Sequence, residues 1–286
     1  MDVIKALKDL IPRTSFPRRT IIRAIDIYRH HRTDCYVISH PKCGRTWLMV
    51  MLAKAFAVHF NDPRDIVWDP RDVICAVGRK WPYIQFTHDG VDGPPASAGK
   101  QYSERNYHLY RKKRVIFLIR DPRDVLVSHY WHLTLRKRQF HDSLSDFVKH
   151  PWWGIDRVIA FMEGWYEHRH LPVDFLLVRY EDLQQDAAAQ LRRVLTFVNL
   201  PDISDETIRT AVDYASFENM RRMSLNELAD NPRFAIPDRD APESFKVRKG
   251  KVGGYTDYLS TADMEYIEER MRRGLPAVFG YTPSRA

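Results

Sequence analysis

The chain has 286 residues, of which 44% are hydrophobic and 12% aromatic, and it is long enough to bury one sizeable core. Its net charge of +8 at pH 7 favours a polyanionic partner such as nucleic acid, anionic lipid or a phosphorylated small molecule. Because no apolar run approaches about 18 residues and charges are interspersed near Met1, the sequence predicts neither a membrane span nor a signal peptide. Three cysteines without a Cys-x-x-Cys pair argue against a disulfide framework or a thiolate zinc site, and favour a reducing, cytoplasmic setting.

A basic segment over residues 1–33 opens the chain, with four isoleucines between positions 21 and 27 spaced for a short helical extension. A β-branched apolar run at residues 36–38 then predicts a buried strand. It breaks at Pro41, passes through Lys42 and Gly44, and opens into an apolar helix over residues 47–58. A strand, a basic glycine-containing turn and a helix together form a typical cradle for an anion, because free backbone N–H groups and the positive helix end face the same point.

The same arrangement recurs along the chain. Short apolar runs at residues 83–87, 115–119 and 175–178 predict further strands, which end at His88, Arg120 and Tyr180. Helical patterns lie at residues 125–135, 143–149, 157–168, 187–198, 204–214 and 261–273. In contrast, Asp69-Pro70 is a turn signal in a loop-rich stretch, and residues 91–103 form a loop. The predicted fold is therefore α/β: a single domain over residues 1–286 with a central parallel sheet flanked by helices, binding its ligand beyond the carboxyl ends of the strands.

The late segment over residues 231–254 is polar and interrupted by prolines. Its last ten residues, 245–254, hold four basic residues and three glycines, which predicts a flexible cationic lid.

The turn at Pro41 lacks the two glycines and the Lys-Ser/Thr pair of a Walker A loop. It resembles instead the 5′-phosphosulfate loop of the sulfotransferases that use 3′-phosphoadenosine 5′-phosphosulfate (PAPS), Pro-Lys-Ser-Gly-Thr-Thr-Trp. Here the loop is Pro41-Lys42-Cys43-Gly44-Arg45-Thr46-Trp47. Cys43 and Arg45 depart from the family pattern. Arg45 either contacts the phosphosulfate or points to solvent, and Cys43 is either a packed substitute for serine or a redox-sensitive thiol.

Two further motifs carry the resemblance. The family's 3′-phosphate site has an arginine at a strand end and a serine eight residues later, which Arg120 and Ser128 match. Its late Arg-Lys-Gly-x-x-Gly element appears as Arg248, Lys249 and Gly250 followed by Gly253. Tyr180 and Phe217 resemble, more weakly, the aromatic residues that contact the adenine. The resemblance thus implies a P-loop-like nucleotide-binding fold with a bisphosphate clamp.

The resemblance also implies the chemistry: sulfuryl transfer from PAPS to a hydroxyl or amine of a small-molecule acceptor, with release of 3′,5′-adenosine bisphosphate (PAP). His88 matches the family's catalytic histidine, although the lysine two residues earlier is replaced by Phe86, and Asp89 is a candidate to orient it. Imidazole can act as a general base near neutral pH, and Lys42 can stabilise charge on the departing phosphate. Lysine and arginine supply the positive charge, so no metal is implied.

Other classes remain open at this point. A nucleotide or small-molecule kinase would share the anion cradle but would need a Walker-type loop and a magnesium carboxylate. A non-catalytic nucleic-acid-binding protein would explain the charge, yet the arginines lie at strand ends and not along one helix. The His129-x-x-His132 pair is a weak metal signal without a nearby third ligand. A dimer element of the family would fall at residues 256–265, where only Glu265 matches, so the oligomeric state stays open.

Overall fold

The computed structural model describes residues 16–79, 81–91, 107–238, 240–246 and 250–281. A sheet of four parallel strands runs through its centre in the order β2-β1-β3-β4. The strands are β1 (Cys35–Ser39), β2 (Ile84–Thr87), β3 (Arg114–Ile119) and β4 (Asp174–Arg179). All four lie where the sequence predicts them, and the predicted α/β fold with a central parallel sheet is confirmed.

Burial follows the position of each strand in the sheet. The two inner strands are the continuous apolar runs: β1 is buried throughout, and β3 is buried from Val115 to its end. The edge strand β2 alternates between buried and half-buried residues, and β4 begins exposed at Asp174. Continuous apolar runs are typical of parallel strands covered on both faces.

Helices cover both faces of the sheet. In chain order they are α1 (Phe16–Arg32), α2 (Arg45–His59), α3 (Pro70–Ala76), α4 (Pro122–Trp131), α5 (Leu144–Lys149), α6 (Ile155–Glu167), α7 (Tyr180–Gln185), α8 (Ala187–Phe197), α9 (Asp205–Tyr214), α10 (Phe217–Leu225) and α11 (Thr261–Gly274). Within the described ranges, no helix combines the length and the apolar character that a membrane crossing requires.

Helix α2 is the hydrophobic centre of the domain. Every residue from Leu48 to Ala53, and again from Ala55 to Ala57, is buried. A helix that is apolar on all sides must be surrounded by other elements, and α2 packs against α3, α8 and α9. Its amino end is thereby held rigidly at the carboxyl edge of β1.

Two local features differ from the sequence-based expectation. The Asp69-Pro70 pair, which predicts a turn, instead starts α3: the Asp69 side chain accepts a hydrogen bond from the Arg71 N–H, and proline is tolerated in a first turn. Helix α4 ends at Trp131, earlier than predicted, and continues as a π-helical turn over His132–Arg136.

The described parts of the late segment pack against α4 and the turn that follows it. The Arg136 Nη1 donates to the Ser244 carbonyl over 2.9 Å. The Asp124 carboxylate accepts from the Gly253 N–H at 2.9 Å and from the Tyr255 N–H at 3.0 Å. Asp124 therefore anchors the carboxyl end of the segment predicted to be a lid.

Candidate active site

The carboxyl ends of all four strands open onto one cavity of about 310 Å³. Because the strands are parallel, the loop after β1, His88 after β2, Arg120 after β3 and Tyr180 after β4 meet along one edge of the sheet. The predicted site residues that line the cavity are Lys42, Gly44, Arg45, Thr46, Trp47, His88, Arg120, Ser128, Tyr180, Phe217 and Gly250.

The loop between β1 and α2 has the backbone shape of an anion cradle. Lys42 and Gly44 both adopt left-handed conformations, with φ of 74° and 89°. A Cβ on Gly44 would lie 2.5 Å from the Tyr180 Cδ2, so only glycine fits between the loop and this ring. Lys42 holds a conformation that costs a residue with a side chain about 1–2 kcal/mol, the kind of strain found at functional turns.

Helix α2 begins directly behind this loop. Its first hydrogen bonds run from the Trp47 and Leu48 N–H groups to the Gly44 carbonyl, at 2.9 and 3.2 Å. The N–H groups at the start of any helix have no hydrogen-bond acceptor within the helix. The first turn contains no acidic residue, so the positive end of the helix faces the cavity undiminished.

Arg120 connects three elements around the cavity. Its Nη1 donates to the Lys42 carbonyl at 3.4 Å and its Nη2 to the Lys251 carbonyl at 3.0 Å. The guanidinium also pairs with Asp124 at 3.3 Å and lies 4.3 Å from the centre of the Tyr180 ring. Arg120 is thus held beside the cavity by the loop, the late segment and α4 at once.

His88 faces the cavity as a neutral base. Its Nδ1 lies 2.8 Å from the Ser39 carbonyl oxygen, which can only accept, so Nδ1 carries the proton and Nε2 keeps its lone pair. Burial lowers the pKa of His88 well below its usual value, and the charge of Arg45 lowers it further. The imidazole is therefore unprotonated at neutral pH.

Asp89 does not supply the orienting contact considered above. Its carboxylate accepts hydrogen bonds from the Tyr110 hydroxyl at 2.8 Å and from the Trp165 Nε1 at 3.1 Å. The Ser39 carbonyl, at the end of β1, is what fixes the His88 ring. Neighbouring residues after a strand point apart, and here only the histidine turns toward the cavity.

The two departures from the loop motif behave differently. Arg45 is half-buried and lines the cavity, and its charge acts on His88. Cys43 belongs to the hydrophobic core, and its side chain is not part of the cavity wall. Burial raises the pKa of the Cys43 thiol to about 12, which opposes a redox role. Of Cys43, therefore, only the backbone can contact a ligand in the loop.

Two aromatic rings line the cavity at places where a glycine approaches them. Tyr180 packs on Gly44 and on Trp47, with ring centres 5.8 Å apart in the latter pair. Phe217 begins α10 and packs on Gly250, whose φ is +61° and whose added Cβ would meet the ring at 3.0 Å. Both rings are thus held at the cavity wall with a glycine packed closely against each.

Some predictions fall outside the described residues. Arg248 and Lys249 do so, as does the predicted loop from residue 92 onward. In contrast, eight lining residues were not among the predicted site residues: Pro41, His132, Gln184, Ala215, Met220, Lys246, Lys251 and Gly254. Lys246 lies within the basic run 245–254, but its sequence context gives no sign that it lines the cavity.

His129 and His132 pack against each other, with ring centres 6.4 Å apart. Burial lowers the pKa of His132 to about 2, and the nearby charges of Lys42 and Arg136 add to this effect. No group of three or more histidine, cysteine or acidic side chains within the described ranges is arranged to hold a metal ion.

Comparison with known proteins assigns the family. The model of the family described as "Sulfotransferase domain" matches residues 32–278. This chain belongs to the sulfotransferase domain family. The predictions of a sulfotransferase enzyme and of PAPS-dependent sulfuryl transfer are confirmed.

Curated relatives span the same length at low identity. The chain is 26% identical over 266 residues to the amine sulfotransferase of Oryctolagus cuniculus, covering 87% of this chain and 82% of that one. It is 26% identical over 294 residues to sulfotransferase 2A6 of Rattus norvegicus, covering 94% of this chain and 95% of the relative. Cytosolic sulfotransferase 12 of Arabidopsis thaliana is 24% identical, covering 82% of this sulfotransferase and 75% of the relative.

Solved structures agree with this fold. Retinol dehydratase in complex with androsterone and the inactive cofactor PAP superposes with a TM-score of 0.57 at 19% identity, covering 85% of this chain and 80% of that one. Mouse sulfotransferase SULT7A1 complexed with PAP gives a TM-score of 0.57 at 18% identity, covering 85% and 84%. At this identity the likeness concerns the fold alone.

Proposed function

We propose that this sulfotransferase binds PAPS across the carboxyl edge of its sheet and transfers the sulfuryl group to a hydroxyl or amine of a small-molecule acceptor. Thr46 and the backbone N–H groups around Gly44 hold the 5′-phosphate. Arg120 and Ser128 hold the 3′-phosphate, joined by Arg248 and Lys249 of the late motif. The loop conformation and the position of Arg120 beside it support this assignment. The PAP bound in two relatives of the same fold is consistent with it.

His88 acts as the general base. Its Nε2 lone pair faces the cavity that Lys42 also lines, and it takes the proton of the acceptor as the oxygen or nitrogen attacks sulfur. Among the observations that support the proposal, this neutral, oriented imidazole next to the phosphate loop carries the most weight.

Lys42 stabilises the leaving group. As the bond to sulfur breaks, negative charge grows on the departing phosphate, and an ammonium on the loop can neutralise it. Arg45 adds a second charge on the same side of the loop. Sulfuryl transfer, like phosphoryl transfer, depends mainly on positioning and on charge stabilisation, which these cations supply without a step that needs a metal ion.

Two substitutions test these roles. We expect His88→Ala and Lys42→Ala each to lower kcat at least about a hundredfold, the range of a lost general base or charge stabiliser. For His88→Ala, PAP affinity should remain close to that of the wild type, because the imidazole faces the acceptor. The measurements are steady-state transfer of radiolabelled sulfate and calorimetric titration with PAP.

The exposed residues His141 and Lys149 offer matched controls, because alanine removes the same type of side chain there, outside the cavity. His141→Ala and Lys149→Ala should leave kcat unchanged. Wild-type turnover by the His88→Ala enzyme would remove His88 from the mechanism, while the role of Lys42 would be judged by its own variant.

We also propose that the protein acts as a single domain in the cytoplasm, with residues 1–33 as a helical extension and residues 231–254 as a lid. The three thiols are free, and one relative carries the name cytosolic sulfotransferase. Nucleic acid is not proposed as a partner, because the described cations around the site converge on a cavity that suits a small anion. Steep salt-dependent binding to RNA or DNA would contradict this.

A further inference from the structure

Lys246 is a half-buried lysine that the donor-binding motifs do not account for. It lines the cavity, and its Nζ donates to the Arg233 carbonyl at 3.0 Å while lying 5.3 Å from the centre of the Phe234 ring. Within the described ranges, the ammonium contacts this carbonyl and this ring face and pairs with no carboxylate. An ammonium that is partly removed from water without a counter-charge is costly unless an anion joins it.

The charges around Lys246 increase that cost. Burial lowers the pKa of Lys246 well below its usual value, and the strongest charges acting in the same direction are Arg233, Lys42, Arg136 and Arg45. Two of these charges, Lys42 and Arg45, belong to the phosphate loop, and both residues line the same cavity as Lys246.

Two acidic residues of the described ranges, Asp69, whose charge acts on Arg233, and Glu243, three positions before Lys246, are engaged with other partners. Asp69 pairs with Arg71 and caps α3, and Glu243 accepts a hydrogen bond from the Tyr258 hydroxyl at 3.0 Å. Behind Lys246, burial also lowers the pKa of Arg136 and of Arg233. The protein thus concentrates three cations on this side of the cavity, in addition to the pair on the loop.

The donor already has its own cations. Lys42, Arg45 and the α2 amino end face the phosphosulfate, and Arg120 faces the 3′-phosphate. His88 and Lys246 both line the cavity, and the charge of Lys246 is among those that act on His88, so the two lie near each other. A further anion bound there would sit beside the attacking atom of the acceptor.

We propose that the acceptor of this enzyme carries an anionic group, a carboxylate or a phosphate, which binds Lys246 while the nucleophile faces His88. Arg136 and Arg233 reinforce the field without touching the acceptor. The inference rests on the proposed function, since it assumes that the donor occupies the phosphate loop. It predicts that neutral acceptors of the same shape are poorer substrates.

The test measures anion binding next to a filled donor site. Protein saturated with PAPS is titrated calorimetrically with benzoate, with phenyl phosphate and with the neutral benzamide, none of which offers an alcohol, phenol or amine nucleophile. We expect at least one anion to bind at least tenfold more tightly than benzamide. In Lys246→Met this preference should fall to within about twofold, whereas the exposed control Lys149→Met should retain it. PAPS binding by each variant reports that it is folded. If Lys246→Met does not fold, Lys246→Arg takes its place and should keep the preference for the anion.

Three results would overturn the inference. Equal affinity for the anions and benzamide in the wild type would show that no anion site exists beside the donor. An unchanged preference in folded Lys246→Met would place the site elsewhere. Anion binding to the PAP complex but not to the PAPS complex would mean that Lys246 serves the sulfuryl group itself. Failure of the wild type to bind PAPS would instead count against the proposed function, and is recorded separately before any anion is added.

Discussion

Gly44 provides a sharp test of the donor loop, because alanine there meets two obstacles of known size. Its φ of 89° is a conformation that costs a residue with a side chain about 1–2 kcal/mol. The new Cβ would also lie 2.5 Å from Cδ2 and 3.0 Å from Cε2 of Tyr180, so the ring must move. That ring faces Arg120 at 4.3 Å, a contact worth about 0.5–2 kcal/mol.

Gly78 separates the two effects. Its φ is +68°, so alanine is strained there as well, but nothing lies within 4 Å of the added Cβ. Gly44→Ala and Gly78→Ala should therefore lose similar stability from backbone strain. Only Gly44→Ala should displace Tyr180 and distort the loop.

The magnitude follows from this difference. We take the displacement of the Tyr180 ring and the loss of its contact with Arg120 to cost about 1.4–2 kcal/mol of binding free energy. PAP should then bind roughly ten- to thirtyfold more weakly to Gly44→Ala than to Gly78→Ala. Calorimetric titration with PAP measures affinity, and denaturant unfolding measures stability. Equal PAP affinity in the two variants would refute the account of the loop as a close-fitting phosphate cradle.

Three further predictions concern titration, reactivity and anchoring. Because burial lowers the pKa of His88, its base form persists as pH falls. The kcat/KM for the donor, which reports the free enzyme, should therefore stay flat from about pH 8 to 6.5 and fall only at lower pH. A fall of kcat/KM already at about pH 7 would contradict this. Iodoacetamide should label native protein once, at exposed Cys75, while Cys43 reacts only after unfolding, as mass spectrometry would show. Asp124→Asn breaks a buried ion pair with Arg120, and should destabilise the fold by about 3 kcal/mol and weaken PAP binding; unchanged unfolding and titration curves would remove its anchoring role.

Elements with strong local signals could be predicted from the sequence. The four strands are apolar runs bounded by charged or turn residues, and because parallel strands align their carboxyl ends, the meeting of Lys42, His88, Arg120 and Tyr180 follows from chain order alone. The start of α3 was harder to predict. Asp69-Pro70 is compatible with a turn and with a helix cap, and only the hydrogen bond to Arg71 distinguishes them.

Features that depend on contacts between residues far apart in the chain could not be predicted from the sequence. The Ser39 carbonyl orients His88 through a 49-residue separation, so the neighbouring Asp89 looked like the better partner. Lys246 looked like one more cation in a basic run, because nothing local indicates that it contacts the Arg233 carbonyl and lines the cavity. Cys43 matched a serine of the family loop, yet the fold turns its side chain into the core.

The central claim is that Lys42 and His88 act at one site on PAPS. The most direct measurement follows the transfer of radiolabelled sulfate from PAPS, and of radiolabelled phosphate from ATP, to a panel of alcohols, phenols, amines and sugars, with wild-type enzyme and with the Lys42→Ala and His88→Ala variants. We predict that the wild type transfers sulfate and that both variants do so at least about a hundredfold more slowly. We predict no phosphate transfer by any of the three enzymes. Phosphate transfer from ATP, or sulfate transfer that survives both substitutions, would contradict the account.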